Sequence, residues 1–392
     1  MTSSAAARPL TSAPPRRVAA ESAVPWYLWA VVFASTSVVI GVIWDISWHR
    51  TIGRDTFFTP AHMAIYVGGL VAGLSCGGLV LKTTFAGSPD EKARGVRFWG
   101  FDGPLGAWVC IWGSFAMIVS GPFDDWWHNA YGLDVEILSP PHTLLATGII
   151  AIQIGAMLMV LARQNGGGRQ ARSLQLLFGY AAGALVLMMA VMATEYIGFA
   201  NHWRSSSFYA ISAGIFPVFL VAASRASLMR WGATMAAGAY MGVTILMIWI
   251  LQLFPASAML GPIYNPVDHM VPPGFPLLLV LPALAIDVFV QRLERDPSPT
   301  KQWSATLAIG AAFFSVLLFA HWLFAEFLLS PAARNFVFGA DQWDYSSRLG
   351  DWQYDYWGTT ASVGPLIVAL LIAMGSTRLG LWWGNWMVRV RR

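Results

Sequence analysis

Six side chains between Asp45 and His142 stand at spacings that suit metal ligation, and the pattern occurs twice. The first set is Asp45-x3-His49-x12-His62, in IWDISWHRTIGRDTFFTPAHMAIY, and the second is Asp124-x3-His128-x13-His142, in GPFDDWWHNAYGLDVEILSPPHTLLA. An Asp and a His four residues apart on a helix project from one face. A further His opening the returning helix then brings two imidazoles and one carboxylate together from a hairpin, with positions left open for water, dioxygen or substrate. Imidazole suits copper, zinc and iron, and two His with one carboxylate is also the non-haem Fe(II) arrangement, so the ligand types alone do not choose the metal.

The copies share more than ligands. A Trp precedes the first His of each (Trp48, Trp127), a Gly-x-Asp follows (Gly53 and Asp55, Gly132 and Asp134), and a Pro stands shortly before the last His (Pro60, Pro140). Four of the chain's seven histidines fall in this repeat. Asp55 and Asp134 are candidates to accept from the far nitrogen of a ligand imidazole and orient it, or are simply turn formers. Glu195 and His202, seven residues apart, are expected on one helix face bordering the same cavity. His269 lies in the proline-rich loop PASAMLGPIYNPVDHMVPPGFP, where it is placed to act as a lid. Asp341, Asp344, Asp351 and Asp355 alternate with Trp and Tyr in a last loop, either gathering cations or lying as an interfacial aromatic segment.

The elements that must position these residues are membrane helices. Of 392 residues 56% are hydrophobic and only 11% charged, with mean hydropathy +0.56, well below the roughly 25% charge usual in soluble domains. A spanning helix needs about 20 apolar residues, and ten stretches qualify: 26–48, 61–81, 104–122, 142–162, 174–199, 208–224, 231–253, 274–290, 303–328 and 358–376. The expected fold class is therefore all-α, a polytopic membrane bundle of about ten helices. Residues 1–25, rich in Ala, Ser, Pro and Arg, read as a disordered cytoplasmic tail. The duplicated metal-binding hairpins occupy 26–163, further transmembrane helices 164–376, and a basic cytoplasmic tail 377–392. Cys76 and Cys110 both lie in apolar segments and form no disulfide framework.

Orientation follows from charge. With the N-terminus inside, nineteen of the 24 basic residues face the cytoplasm, the division that the positive-inside rule demands. Both termini are then cytoplasmic, and the ligand triads face the extracytoplasmic side of a bacterial inner or plasma membrane. The pI of about 9.2 is accounted for by this topology, and no nucleic-acid partner is inferred from it.

The two spacings resemble the two membrane copper sites in the C subunit of the particulate methane and ammonia monooxygenases, the copper membrane monooxygenase family. The family's Asp, His, His site matches Asp45, His49 and His62. Its Asn, His, His site matches Asp124, His128 and His142, with Asp in place of Asn. The resemblance covers residues 45–142. It implies copper at one or both sites, additional monooxygenase subunits and oxidation of a small apolar substrate by dioxygen. The family's C subunit is shorter than this chain and works with a subunit carrying cupredoxin domains, for which no outer loop here is long enough. No haem-attachment, flavin or iron–sulfur motif occurs in the sequence, so electrons would come from outside, from a quinol or a redox protein. The alternatives are a non-catalytic metal-binding membrane protein serving transport, delivery or assembly, and a non-haem iron oxidase or desaturase, with iron or zinc in place of copper. Beyond the bilayer itself, a homo-oligomer is a further expected association.

Cysteine-accessibility labelling tests the orientation. Residues 82–103 and 163–173 are expected to react from the cytoplasmic side, and 255–273 and 329–357 from the other. Labelling of 329–357 only from the cytoplasm would overturn both the map and the outward-facing triads.

Overall fold

A computed structural model describes residues 24–52, 58–132, 139–166, 171–256, 267–294, 297–342 and 360–391. Residues 1–23 of the expected tail 1–25, together with Asp55, Asp134, Asp344, Asp351 and Asp355, lie outside these. Among the described residues nine helices are long and apolar enough to cross a membrane. They are α1 (Trp26–Ile52), α2 (Pro60–Ala86), α4 (Leu105–Tyr131), α5 (Pro140–Asn165), α6 (Ala171–Met192), α8 (Ser206–Ala226), α9 (Gly232–Leu251), α11 (Pro299–Leu329) and α12 (Val363–Met387). Between them come short helices α3 (Pro89–Ala93) and α7 (Thr194–Ile197), the half-length α10 (Val280–Val290), and a hairpin of β1 (Val96–Phe98) and β2 (Phe101–Gly103). That hairpin, turning on Trp99 and Gly100 at positive φ, is a small departure from the all-α expectation.

Packing proceeds by hairpins: α1 lies on α2, α4 on α5, and α2 on α4, while α6 packs on α9 and α8 on α12. Small residues let backbones approach, as membrane helices require. A Cβ at Gly113 would stand 2.7 Å from the Gly148 carbonyl, and so the α4–α5 contact needs glycine on both sides. Large apolar side chains point outward, among them Leu74, Phe85, Phe319 and Val363, the surface that a bilayer covers. We refer to the end of the bundle where α1 stops and α2 begins as the triad end.

The eighth expected span departs from a helix. Residues 272–279, with Pro272, Pro273 and Pro276, run without helix, and α10 begins only at Val280. Proline lacks the N–H and clashes with the preceding turn, which breaks the first half of this segment. Uncoiled backbone among apolar helices must be satisfied by protein, and four groups at the two ends of this stretch find such partners. Val271 donates to Thr51 Oγ1 at 2.8 Å and accepts from Ser47 Oγ at 2.6 Å. Leu277 N–H donates to the Tyr240 hydroxyl at 2.8 Å, and Leu278 N–H to His321 Nε2 at 3.1 Å. Because the other ring nitrogen of His321 lies 2.9 Å from the Leu317 carbonyl, Nδ1 carries the proton and Nε2 is left to accept.

At the opposite end Asp287 is fully buried yet satisfied by four donors. Ser224 Oγ (2.5 Å), Thr234 Oγ1 (2.7 Å) and the backbone N–H groups of Ala233 (3.1 Å) and Thr234 (2.8 Å) surround its carboxylate. It thus caps the first turn of α9, where orphan N–H groups and the helix dipole favour an anion.

Tyr240→Phe keeps the shape of the ring and deletes the acceptor of the Leu277 N–H. The stranded donor is expected to cost about 1–3 kcal/mol, visible as a lower melting temperature in detergent. An unchanged melting temperature would mean that the uncoiled segment does not depend on this bond.

Candidate metal centre

Each triad is assembled by the same local chemistry. α1 and α4 run far enough to carry both members of their Asp-x3-His pairs, so α4 continues through Pro122 beyond the expected boundary at 122. Each returning helix starts with a hydroxyl cap and a proline, and its third residue is the last ligand. Thr59 Oγ1 accepts from the His62 N–H at 3.2 Å, and Ser139 Oγ from the His142 N–H at 3.4 Å. Pro60 and Pro140 occupy the first helical position, where no N–H is needed. The extra residue of the second copy therefore falls between His128 and Ser139, before the cap, and leaves His142 at the same helical position as His62.

The side chains then meet in the same pairing. His62 Nε2 stands 3.1 Å from Asp45 Oδ1, and His49 Nε2 3.8 Å from Asp45 Oδ2. His142 Nε2 stands 3.6 Å from Asp124 Oδ1, and His128 Nε2 3.5 Å from Asp124 Oδ2. In both, the carboxylate is the apex, one oxygen serving the His of its own helix and the other the His of the next. Donors about 2.1 Å from a common tetrahedral ion lie roughly 3.4 Å apart, close to these separations. Tyr66, one turn past His62, is within electrostatic range of both Asp45 and Asp124, so the two triads share one neighbourhood at the triad end.

Hydrogen bonding decides what the nitrogens can do. His128 Nδ1 lies 3.1 Å from the Gly132 carbonyl, a bond that puts the proton of a neutral ring on Nδ1 and the lone pair on Nε2. That lone pair then faces the Asp124 carboxylate. Two acceptors facing each other at this distance repel unless a cation or a proton lies between them. Asp45 Oδ1 and Asp124 Oδ1 are buried and receive no hydrogen bond despite the neighbouring imidazoles. The donor set thus fits a metal ion in kind and pairing. Among the described residues, however, no group of three or more His, Cys, Asp or Glu side chains closes into a metal cage. Each triad is an open V.

Gly132 closes α4 with φ 89° and ψ −178°, a region that essentially only glycine adopts. The matching Gly53 lies outside the described residues. This gives Gly132 a physical role, presenting its carbonyl to the imidazole four residues earlier. Sequence reasoning missed it, as it missed the Thr59 and Ser139 caps; Thr-Pro-x-His and Ser-Pro-x-His were the available signals.

The outlying candidates are not brought to the triads in the expected way. Glu195 and His202 do not share a helix face, because α6 ends at Met192 and His202 falls in a separate 3-10 turn, Ala200–His202. His202 is buried with Phe199 edge-on at 5.8 Å, and burial pushes its pKa down to about 4, a neutral core residue. His269 turns to Asp341, 3.1 Å away, and its backbone pairs with Pro255; its ring braces the loop that follows α9. Comparison with protein-family models, curated proteins and solved structures returns no match to this chain.

Gly132→Ala is expected to cost about 1–3 kcal/mol in backbone strain, with no steric clash, since open space surrounds the position. By displacing the carbonyl that holds His128 it should also lower metal retention at the second triad by about 10-fold and spare the first. Metal occupancy equal to wild type at both would show that Gly132 does not position the ligand.

Proposed function

We propose that the chain is a metal-dependent membrane oxygenase, or the metal-bearing subunit of one, with copper at one or both triads and a small apolar substrate oxidised by dioxygen. The observation that supports this reading most is the duplicated imidazole–carboxylate V. In its second copy the Gly132 carbonyl leaves a histidine lone pair facing a carboxylate, an arrangement that a cation stabilises. The Asp-His-His spacing shared with the copper membrane monooxygenases supports the choice of copper and of oxygenation over other uses of such a site.

The residues divide the work as follows. Asp45 and Asp124 offset the charge of a bound cation, each by both oxygens. His49, His62, His128 and His142 offer Nε2, the nitrogen that faces the carboxylate in every case. Gly132 accepts at the His128 Nδ1, which in the neutral ring leaves Nε2 as the donor atom. Trp48 and Trp127, half-buried beside the first His of each set, help to exclude water. A bound copper ion supplies one-electron redox chemistry and an open position for dioxygen. Apolar substrate reaches this end of the bundle through the bilayer, and electrons arrive from a quinol or a partner redox protein, with further subunits completing the assembly. The triads face the extracytoplasmic side in this reading.

A second reading is non-catalytic metal handling, and the open form of each triad favours it: His49 is half exposed, and no closed cage forms among the described residues. Such a site exchanges its ion readily.

Elemental analysis of purified protein and its variants is the test. At least one transition metal per chain, copper above iron or zinc, is expected, and His49→Ala or His62→Ala should remove most of the first equivalent. Asp124→Asn should retain metal, whereas His128→Ala should empty the second triad and leave the first occupied. Folded protein that is metal-free and takes up no copper, iron or zinc would sink the proposal. Metal that passes to a chelator, with no dioxygen consumed when reductant and a short alkane are supplied together with the membrane partners, would select the second reading.

A further inference from the structure

The three helices α2, α4 and α5, which carry His62, Asp124 with His128, and His142, each place one sulfur at a second, deeper point. Cys76 on α2, Cys110 on α4 and Met159 on α5 meet in the core, with both cysteines fully buried and Met159 2% exposed. Cys76 Sγ lies 3.7 Å from Met159 Sδ, and the Cys110 thiol lies within electrostatic range of Cys76. Cys110 Sγ also approaches the Ile152 carbonyl at 3.6 Å. At 1.5 Å per helical residue, Cys76 is about 21 Å along α2 from His62, and Cys110 a similar rise along α4 from Asp124. This is a separate place from the triads.

Glycine makes the room. A Cβ at Gly155 would stand 2.5 Å from Cys110 Sγ, and one at Gly106 would stand 2.6 Å from Met159 Cγ. Gly106 and Gly155 each lie one turn before the sulfur residue of their own helix and open space for the sulfur of the other. Three sulfurs about 2.3 Å from one ion sit roughly 4 Å apart, near the separation that Cys76 and Met159 already have.

We propose that Cys76, Cys110 and Met159 form a buried site for a soft monovalent cation, Cu(I). Thiolate and thioether donors select such an ion over hard divalent cations. Charge in the membrane interior argues the same way. One thiol loses its proton to solvent on binding, the new sulfur–copper bond replaces the S–H bond, and the single thiolate neutralises a single positive charge. A divalent ion with the same donors would leave either a net charge or two thiolates in an apolar core. No electron is transferred in this step. The site is independent of the function proposed above, because none of its donors belongs to a triad.

The test uses the full chain, reduced and in detergent, titrated with Cu(I) against a bicinchoninate competitor, with copper X-ray absorption as the readout of ligand type. Wild type should bind one Cu(I) with sulfur scatterers. Cys76→Ser and Cys110→Ser should each weaken it beyond the 10- to 100-fold loss typical of groups one step from a metal. Met159→Leu, a volume-conserving change, should weaken it less, and His49→Ala and His128→Ala should leave it unchanged. If either serine variant fails to elute as a single species, the corresponding alanine variant, which keeps an apolar side chain, replaces it. Copper with only nitrogen and oxygen neighbours, no competition with bicinchoninate, or affinity unaltered in the cysteine variants would overturn the proposal. So would a mass lower by two hydrogens with both thiols resistant to alkylation, which would make the pair a disulfide.

Discussion

An uncoiled stretch of chain can pass between apolar helices only if its backbone polar groups find partners within the protein. Residues 271, 277 and 278 find theirs on three helices: Ser47 and Thr51 of α1, Tyr240 of α9 and His321 of α11. The consequence reaches the triad end. Ser47 and Thr51 are offset by two residues from Asp45 and His49, and two residues is about 200° around a helix. The last turns of α1 therefore bind the uncoiled segment with one face and present carboxylate and imidazole with the other. Fixing the first face fixes the second.

Duplication sets what the other hairpin must do. Both copies repeat a hydroxyl cap, a proline and a histidine at the third helical position, and in both that imidazole reaches the corresponding carboxylate oxygen. The acids differ in how their charge is met. Asp287 at the far end, fully buried, has its own ring of four donors, as a low-dielectric interior requires. Asp45 and Asp124, partly exposed, each face two imidazoles with one oxygen left without a hydrogen bond.

Much of this was legible in the sequence, because long apolar runs and i, i+4 ligand pairs depend only on local periodicity. Six spans emerged within about five residues. Of the others, 104–122 and 358–376 run on to Tyr131 and Met387, the latter taking residues 377–387 of the expected basic tail into helix, and 174–199 stops at Met192. In 274–290 proline spacing should have outweighed hydropathy. The ligand pairing was legible as a repeat, and the Gly132 carbonyl was not, since its role depends on a φ of 89° that a Gly-x-Asp string does not announce. Glu195 and His202 were misread for a related reason: Ala193, at φ −100° and ψ 9°, stops the helix without any proline or glycine to mark it. Asp287 looked solitary because its partners on α8 and α9 are more than fifty residues distant in sequence.

The two triads are alike in pairing and unlike in support, and this bears on what the second half of the chain is for. The positions on α4 that correspond to Ser47 and Thr51 are Trp126 and Ala130, and both are exposed. Among the described residues no uncoiled segment is bound there. Instead Trp126 lies against Phe123 and Tyr131 on the outer surface of the bundle. The first triad is thus backed by residues 271–278 and, through them, by α9 and α11, whereas the second rests on its own hairpin and on α2. A centre backed by several helices keeps its donor geometry as its surroundings fluctuate; one at the periphery adapts more readily to whatever covers it. Residues beyond 164 thus reach the end of α1 through the hydrogen bonds that Val271 makes to Ser47 and Thr51.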